Sequence, residues 1–474
     1  MAAIEAGGAA ENDVPSGAAE GVTVGQKRAL AVLLLLVLVG LWLNADLILQ
    51  VLHALIVTGF VVSACSKLIL AGLARGAATC PPLRRDFLPT YSILVPLYRE
   101  ADVVEQLIVA LSALDYPRHR LQAILILEAD DEETLGALAW LQLPRFVEVL
   151  VKPPGGPRTK PNALNAALRI AHGELVVVYD AEDIPHPGQL REAAARFAAE
   201  PDLACLQAPL RIGNADAGFL ARQFALEYAG QFDAILPGLE RLGCTFPLGG
   251  TSNHLRASVL NELGGWDAFN VTEDADLGLR LGGPGRRVAM IAAPTREDAP
   301  TTFADWLLQR ARWVKGYMQT WGVQMRRPLA GGLCKFLTLQ VTLGVSIMGA
   351  ALHAVLMLTL LGWLAVDGLV GAFPPSVWAD LSVLSLGWGM AVLANAIGAR
   401  RAGMRMSLGD ALASLAFWPL QSLAFAVAVR QLIVSPYHWD KTPHIPSVSA
   451  AATAEGEVDP SLDGRGPWSV SPAA

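Results

Sequence analysis

The feature that most constrains this chain is an apolar stretch from Ala29 to about Leu73, in which Asp46, His53 and Lys67 are the only acidic or basic side chains. A helix needs about 20 residues to cross the hydrocarbon of a bilayer, so this stretch holds two crossings. The mild polar cluster Asn44, Asp46, Gln50 and His53 lies near the break between them. The stretch is too long for the core of a signal peptide and has no small-residue cleavage site. Lys27 and Arg28 precede it, and Arg75, Arg84 and Arg85 follow it. Positive charge at both outer ends places both on the cytoplasmic side. One tilted span plus an interfacial helix is the alternative. Lys67, near the far end, suits snorkelling to the interface. Residues 1–26, rich in Ala, Gly and Glu, read as a disordered tail.

Composition agrees with a membrane chain. Hydrophobic residues make up 53% of it, and the mean hydropathy is +0.40, more than one soluble core needs. A net charge of -7 gives no basic face and excludes nucleic acid as a partner. Cys65, Cys80, Cys205, Cys244 and Cys334 lie far apart without a CxxC pair. That spacing argues against structural zinc and a disulfide framework, and for thiols in a reducing compartment.

Residues 86–325 read as a soluble domain. The short apolar runs Tyr91–Leu97, Leu121–Leu127 and Leu175–Tyr179 read as buried strands, and 102–114, 161–171 and 188–199 as helices between them. Such alternation predicts a mostly parallel sheet wrapped by helices, with ligands at the carboxyl ends of its strands. Residues 326–435 turn apolar again. Phe336–Leu364 and about Val377–Gly398 read as two crossings, joined outside by Ala365–Ser376, which has no Lys or Arg. Arg400, Arg401 and Arg405 then mark an inside loop. Leu408–Val434 carries Asp410, Pro419, Gln421 and Arg430, and reads as a kinked interfacial or re-entrant segment. A fifth crossing is the runner-up. Residues 436–474 read as a cytoplasmic loop and a disordered tail.

Five strings carry candidate chemistry. Asp180, Glu182 and Asp183 stand at the end of a strand, where like charges need a neutralising partner. A divalent cation, Mg2+ or Mn2+, completed by substrate phosphates would serve; so would plain solvation of a turn. Asp130 and Asp131 follow another strand in the same manner. Lys160, with Pro161 at a helix start, suits a phosphate or a carboxylate, or is simply solvated there. Thr272-Glu273-Asp274 precedes a helix; Thr272 is a candidate cap, and one carboxylate a candidate base. Gln309, Arg312 and Trp313 fall on one helix face, giving a cation for diphosphate and an indole for a sugar ring. An aromatic interfacial stripe of Trp306, Trp313, Tyr317 and Trp321 is the blander account of the same helix. His254, in the small-residue run from Leu248, reads as a local hydrogen-bonding partner.

In this order the strings resemble the membrane-bound, inverting family-2 glycosyltransferases, the group of cellulose, hyaluronan and poly-N-acetylglucosamine synthases. The resemblance runs from about Ser92 to Trp313. It implies a Rossmann-like GT-A α/β domain inserted between transmembrane helices. By the family's motifs, Asp130 and Asp131 would meet the nucleotide. Asp180 and Glu182 stand at the two DxD positions, with Glu replacing the second Asp, so Asp183 is a third metal candidate. Asp274 of the TED is the implied base, with Glu273 beside it at the acceptor. Gln309, Arg312 and Trp313 match QxxRW, implying diphosphate and acceptor contacts. Pro436–His444 resembles a post-membrane gating loop of bacterial relatives.

The implied reaction is a single in-line displacement on a nucleotide-sugar, UDP-glucose by analogy, extending a β-linked polysaccharide. Transfer of one sugar to a lipid is the rival, and a non-catalytic scaffold a more distant one. The expected setting is the plasma (inner) membrane, multi-pass, among membrane lipids, with the catalytic domain cytoplasmic and export proteins as candidate partners. Arg401–Arg405 and Asp459–Gly464 fit two short cyclic-dinucleotide strings, but no barrel sequence accompanies them and chance explains them better.

Overall fold

The structure is a computed structural model that describes residues 17–437 apart from 154, 283–284 and 371–374. Helix α1 (Val24–Leu73) comes first. The domain then begins β1 (Tyr91–Leu97), α2 (Val104–Ala113), β2 (Leu121–Glu128), α3 (Glu132–Ala139), β3 (Val147–Lys152), α4 (Lys160–Leu168), β4 (Leu175–Val178), β5 (Ile184–Pro185) and α5 (Gln189–Ala199). It continues β6 (Leu203–Gln207), β7 (Leu210–Ile212), α6 (Phe219–Gly230), α7 (Leu236–Arg241), β8 (Asn253–Arg256), α8 (Ala257–Glu262), α9 (Glu273–Arg280), β9 (Arg287–Met290) and β10 (Thr295–Glu297). Five helices follow: α10 (Phe303–Gln324), α11 (Gly332–Leu339), α12 (Val345–Val370), α13 (Pro375–Arg401) and α14 (Leu408–Val434).

The main sheet has the order β3-β2-β1-β4-β8-β6-β9. β3, β2, β1 and β4 are parallel, as the apolar runs predict, and so are β6 and β9. β8 runs antiparallel to both β4 and β6, which makes the sheet mixed. Tyr91, Ile93, Leu94 and Val95 of β1 are all fully buried, as a central strand covered on both faces requires. One face packs on α2 and α5 through Leu107, Leu111, Leu190 and Phe197. The other packs on α4, α7 and α9 through Leu164, Leu239 and Leu277, and Leu70 of α1 joins this layer.

Helix α1 is two helices meeting at Asn44, whose φ of -157° and ψ of 88° leave the helical region. Asn44 Oδ1 accepts from the Leu47 amide at 3.0 Å, capping the second half. The bend is sharp. A Cβ on Gly40 would lie 2.6 Å from Ile48 Cδ1, whereas eight residues of straight helix rise about 12 Å. Both ends touch the domain side: Gln26 Nε2 donates to the Gly322 carbonyl at 2.7 Å, and a Cβ on Gly238 would lie 2.8 Å from Leu70 Cα.

Residues 17–26, expected as part of a disordered tail, are tied to the domain. Ala18 N donates to Asp267 Oδ2 at 2.6 Å, Arg326 Nη2 donates to the Gly21 carbonyl at 2.8 Å, and Thr23 caps α1 in a reciprocal box with Gln26. Residues 1–16 and 438–474 lie outside the described residues, and with them most of the post-membrane string.

Four helices among the described residues are long and apolar enough to cross a membrane, within Val24–Leu73, Gly332–Val366, Val377–Arg401 and Leu408–Val434. The last is one continuous helix that contains Pro419. Yet both of its ends are held at the catalytic side. Arg222 Nε donates to Asp410 Oδ1 at 3.0 Å, and Gln319 Nε2 donates to the Pro436 carbonyl at 2.9 Å. Between them Phe417 packs on Trp306, so α14 lies along α10.

The cysteine reading needs correction. Cys244 and Cys334, 90 residues apart, form a disulfide. Sequence spacing carried no sign of it, because folding alone sets the segment after α7 beside α11. Cys65, Cys80 and Cys205 are free thiols.

Candidate active site

The carboxyl ends of β1, β2 and β4 open on one edge of the sheet, as parallel neighbours must. Beyond β4 the chain turns through Tyr179–Asp183. Asp183 Oδ2 accepts the Asp180 amide at 2.7 Å and the Thr251 hydroxyl. This clamp fixes the turn and presents Asp180 and Glu182 to a cavity of about 1540 Å³. Asp183 itself is buried, does not line the cavity, and is pushed well above the ordinary carboxylate range, first by burial and then by Asp180 and Glu182. The third metal candidate is therefore a brace for the turn.

Lys160, opening α4, reaches into the same space. Its Nζ pairs with Asp180 Oδ1 and donates to the Gly250 carbonyl at 2.7 Å. Burial opposes its charge, but Asp180, Glu273 and Asp274 outweigh that and raise its pKa. Gly250 sits at the centre of the group. A Cβ there would lie 3.4 Å from Asp274 Oδ2, 3.8 Å from Lys160 Nζ and 3.9 Å from Asp180 Oδ2. Residues 160, 180, 250 and 274 thus converge from four segments.

The TED string enters from the side of α10. Thr272 does not cap α9 with its side chain; its hydroxyl lies 3.4 Å from that of Thr320. Gly316 permits this approach, because a Cβ there would lie 2.6 Å from Thr272 Oγ1. Gly316→Ala is expected to cost about 1–3 kcal/mol of stability and to lower transfer further by pushing the TED turn off α10. Melting and turnover measured on one preparation check this. Asp274 Oδ1 accepts its neighbour's amide, Ala275 N, at 2.7 Å. Burial raises the Asp274 pKa, with the Ala275 amide, Lys160 and Arg312 opposing. Glu273 is pushed up to about 8 by burial, then by Asp274, with Lys160 opposing.

Gln309, Arg312 and Trp313 all line the cavity. The buried Gln309 Oε1 has no hydrogen-bond partner among the described residues. The Trp313 ring stacks on Tyr228 at 6.1 Å and 26°. Arg310, between the motif positions, lies 4.9 Å from the Trp313 ring and 4.5 Å from Phe224, and pairs with Glu227 at 2.6 Å. It locks the indole from behind. Trp306 is fully buried against Phe417, so the aromatic residues of α10 are not a simple interfacial stripe.

The acidic pair after β2 goes elsewhere. Asp131 caps α3 through the Thr134 amide at 3.3 Å and accepts from Arg99 N at 2.6 Å. Asp130 pairs with Arg158 at 2.7 Å. Neither lines the cavity, whereas Glu128, Glu100, Tyr98 and Arg158 do. His254 lies 2.8 Å from the Tyr91 hydroxyl and 3.2 Å from Gln189 Oε1, and burial lowers its pKa to about 3. It is a neutral core residue, as its sequence context suggested. The face of α6 that presents Phe224, Glu227 and Tyr228 to the cavity went unread in the sequence. Its spacing of three and four was the available signal.

No group of three or more His, Cys, Asp or Glu side chains suited to a metal occurs among the described residues. Asp180 and Glu182 still fit a hard divalent cation that draws its remaining oxygens from phosphates and water.

A mixed sheet whose acidic edge opens onto a block of apolar helices is an α/β domain of the GT-A type. Residues 89–316 match the family described as "Glycosyltransferase like family 2". Residues 89–316 therefore form a glycosyltransferase-like family-2 domain. It is 28% identical over 232 residues to the probable glycosyltransferase YdaM of Bacillus subtilis, covering 48% of this chain and 55% of that one. With the glucomannan 4-beta-mannosyltransferase 1 of Oryza sativa it shares 26% identity over 50% of this chain and 47% of the relative. With the beta-monoglucosyldiacylglycerol synthase of Synechocystis it shares 28% over 49% of this chain and 50% of the relative. The chain thus spans about half the length of the curated relatives it matches. Among solved structures, the mannosyltransferase PcManGT of Pyrobaculum calidifontis, in complex with GDP-Man and Mn2+, shares the fold. Its TM-score is 0.53 at 18% identity, over 81% of this chain and 99% of that chain.

Proposed function

We propose that this chain is an inverting hexosyltransferase that moves a sugar from a nucleoside-diphosphate donor to an acceptor held at the inner face of the membrane. The observation that carries this reading is one continuous cavity. It contains Asp180, Lys160, Asp274, Arg312 and Trp313, and runs on between α1, α12, α13 and α14. Asp274 takes the proton from the acceptor hydroxyl as that oxygen attacks the anomeric carbon. Lys160 and Arg312 hold the departing diphosphate, whose charge they meet in a water-poor pocket. A divalent cation at Asp180 and Glu182 would add charge neutralisation there. Trp313, braced by Tyr228 and Arg310, seats a sugar ring.

Two crossings in α1, one each in α12 and α13, and an α14 lying along the interface would leave both outer arms of the chain beside the domain. The basic residues at 27, 28, 400, 401 and 405 support a cytoplasmic domain.

The lining of the inter-helical part favours a lipid acceptor over the polysaccharide that the synthase resemblance suggests. Ala64, Met357, Leu360, Leu384, Leu412 and Leu415 face it beside a few polar groups such as Ser346, Ser385, Asn395 and Gln421, and a hydroxyl-rich glucan passing such walls would replace only part of its hydrogen bonds to water. Trp388 and Trp418, also in the lining, are what a polymer would stack on. Product sizing decides between them. Purified protein in proteoliposomes, given a panel of radiolabelled nucleotide sugars with Mg2+ or Mn2+, is expected to yield monoglycosylated lipid. A ladder of long glucans would overturn the lipid reading and restore the polymer.

A further inference from the structure

Lys67 is the charge that this mechanism leaves without a task. It lies on α1 one turn before Leu70, whose Cα lies 2.8 Å from a Cβ built on Gly238. It therefore stands about 4.5 Å from that contact along the helix, near the end of a candidate membrane span. A lysine there ordinarily snorkels outward to lipid phosphates. This one does not. Phe60, Ser63, Ala64 and Lys67, spaced by three and four, make the face of α1 that lines the cavity, while Val62 and Ile69 are exposed on the outside. Lys67 has no hydrogen bond or ion pair among the described residues. Glu227, the carboxylate whose charge reaches Lys67, is already engaged by Arg310 at 2.6 Å. His353 lines the same cavity from α12, edge-on to Phe60 and Trp418.

We infer that Lys67 forms an anion site inside the inter-helical cavity, which takes the phosphate of an acidic phospholipid whose headgroup also bears a free hydroxyl. The inference rests on the lipid-acceptor reading and narrows it. Turned inward, Lys67 faces apolar walls and the Glu227 carboxylate, which Arg310 already holds, so an anionic headgroup would complete its pairing. The required hydroxyl follows from Asp274: a base is useful only for an acceptor oxygen that carries a proton. The two groups are linked in space, because Glu227 precedes Tyr228, on which Trp313 stacks. A headgroup anchored by its phosphate at Lys67 thus extends its hydroxyl toward the sugar platform.

The test uses the full chain in nanodiscs of phosphatidylcholine doped with either phosphatidylglycerol or neutral diacylglycerol. Transfer is followed with a radiolabelled nucleotide sugar, and lipid binding with photoreactive phosphatidylglycerol. Wild type is expected to glycosylate and crosslink phosphatidylglycerol about tenfold better than diacylglycerol, the scale of one charge-assisted hydrogen bond. Lys67→Gln should erase that preference, and Lys67→Arg should retain it. Persistence of the full preference in Lys67→Gln overturns the anion site, as does equal use of both lipids by wild type. Displacement of the photoreactive lipid by inorganic phosphate alone would assign the site to free phosphate and likewise overturn the proposal. The wider reading fails separately. Should no lipid accept sugar while Lys67-dependent crosslinking persists, the lipid-acceptor function is wrong and the anion site stands.

Discussion

Asp274→Asn is expected to lower transfer by about three orders of magnitude while donor binding survives. The substitution is close to isosteric, and the amide oxygen can still accept from Ala275 N, as Asp274 Oδ1 does at 2.7 Å. Fold and pocket shape should therefore persist. What disappears is the proton acceptor beside Lys160 and Arg312. Single-turnover transfer measured alongside nucleotide titration separates the two effects. A variant that keeps activity within tenfold of wild type removes Asp274 from the mechanism, and full tolerance would favour a non-catalytic scaffold.

Asp180→Asn should cost about a hundredfold in kcat/KM, with the loss concentrated in donor affinity and in the response to divalent cation. Asp180 is paired with Lys160 and faces the cavity opposite Asp274. An amide there still accepts a hydrogen bond from the ammonium but cannot neutralise it, so the donor phosphates lose one organiser and meet an altered field. Wild type treated with chelator is the matching control, and it should lose activity that Mg2+ or Mn2+ restores. The variant's curve of rate against cation concentration should shift to higher concentration. An unchanged curve would detach Asp180 from the cation and leave it as the counter-ion of Lys160.

Much of this architecture was legible because it depends on near neighbours in the chain. The run Tyr91–Leu97 reads as a strand buried on both faces, and β1 is one. Gln309, Arg312 and Trp313 share a helix face by spacing alone, and all three line the cavity. The polar cluster from Asn44 marked the break in the first apolar stretch, and Asn44 is the residue at which α1 bends. Other readings failed where a turn decides which way a side chain points. Asp180 and Asp183 are three residues apart, yet one faces the cavity while the other holds the turn's own amide. Asp130 and Asp131 follow β2 as the family pattern requires, but the turn spends them on Arg158 and on the cap of α3.

From its order of residues alone, this chain determined its helices, its parallel strands and the motif spacing of the catalytic domain, since hydrophobic period and strand length act over a few residues. Only the tertiary structure decided that β8 returns antiparallel, that Cys244 meets Cys334, and that Lys67 turns inward. Those outcomes join segments tens to hundreds of residues apart, through packing that no local pattern encodes.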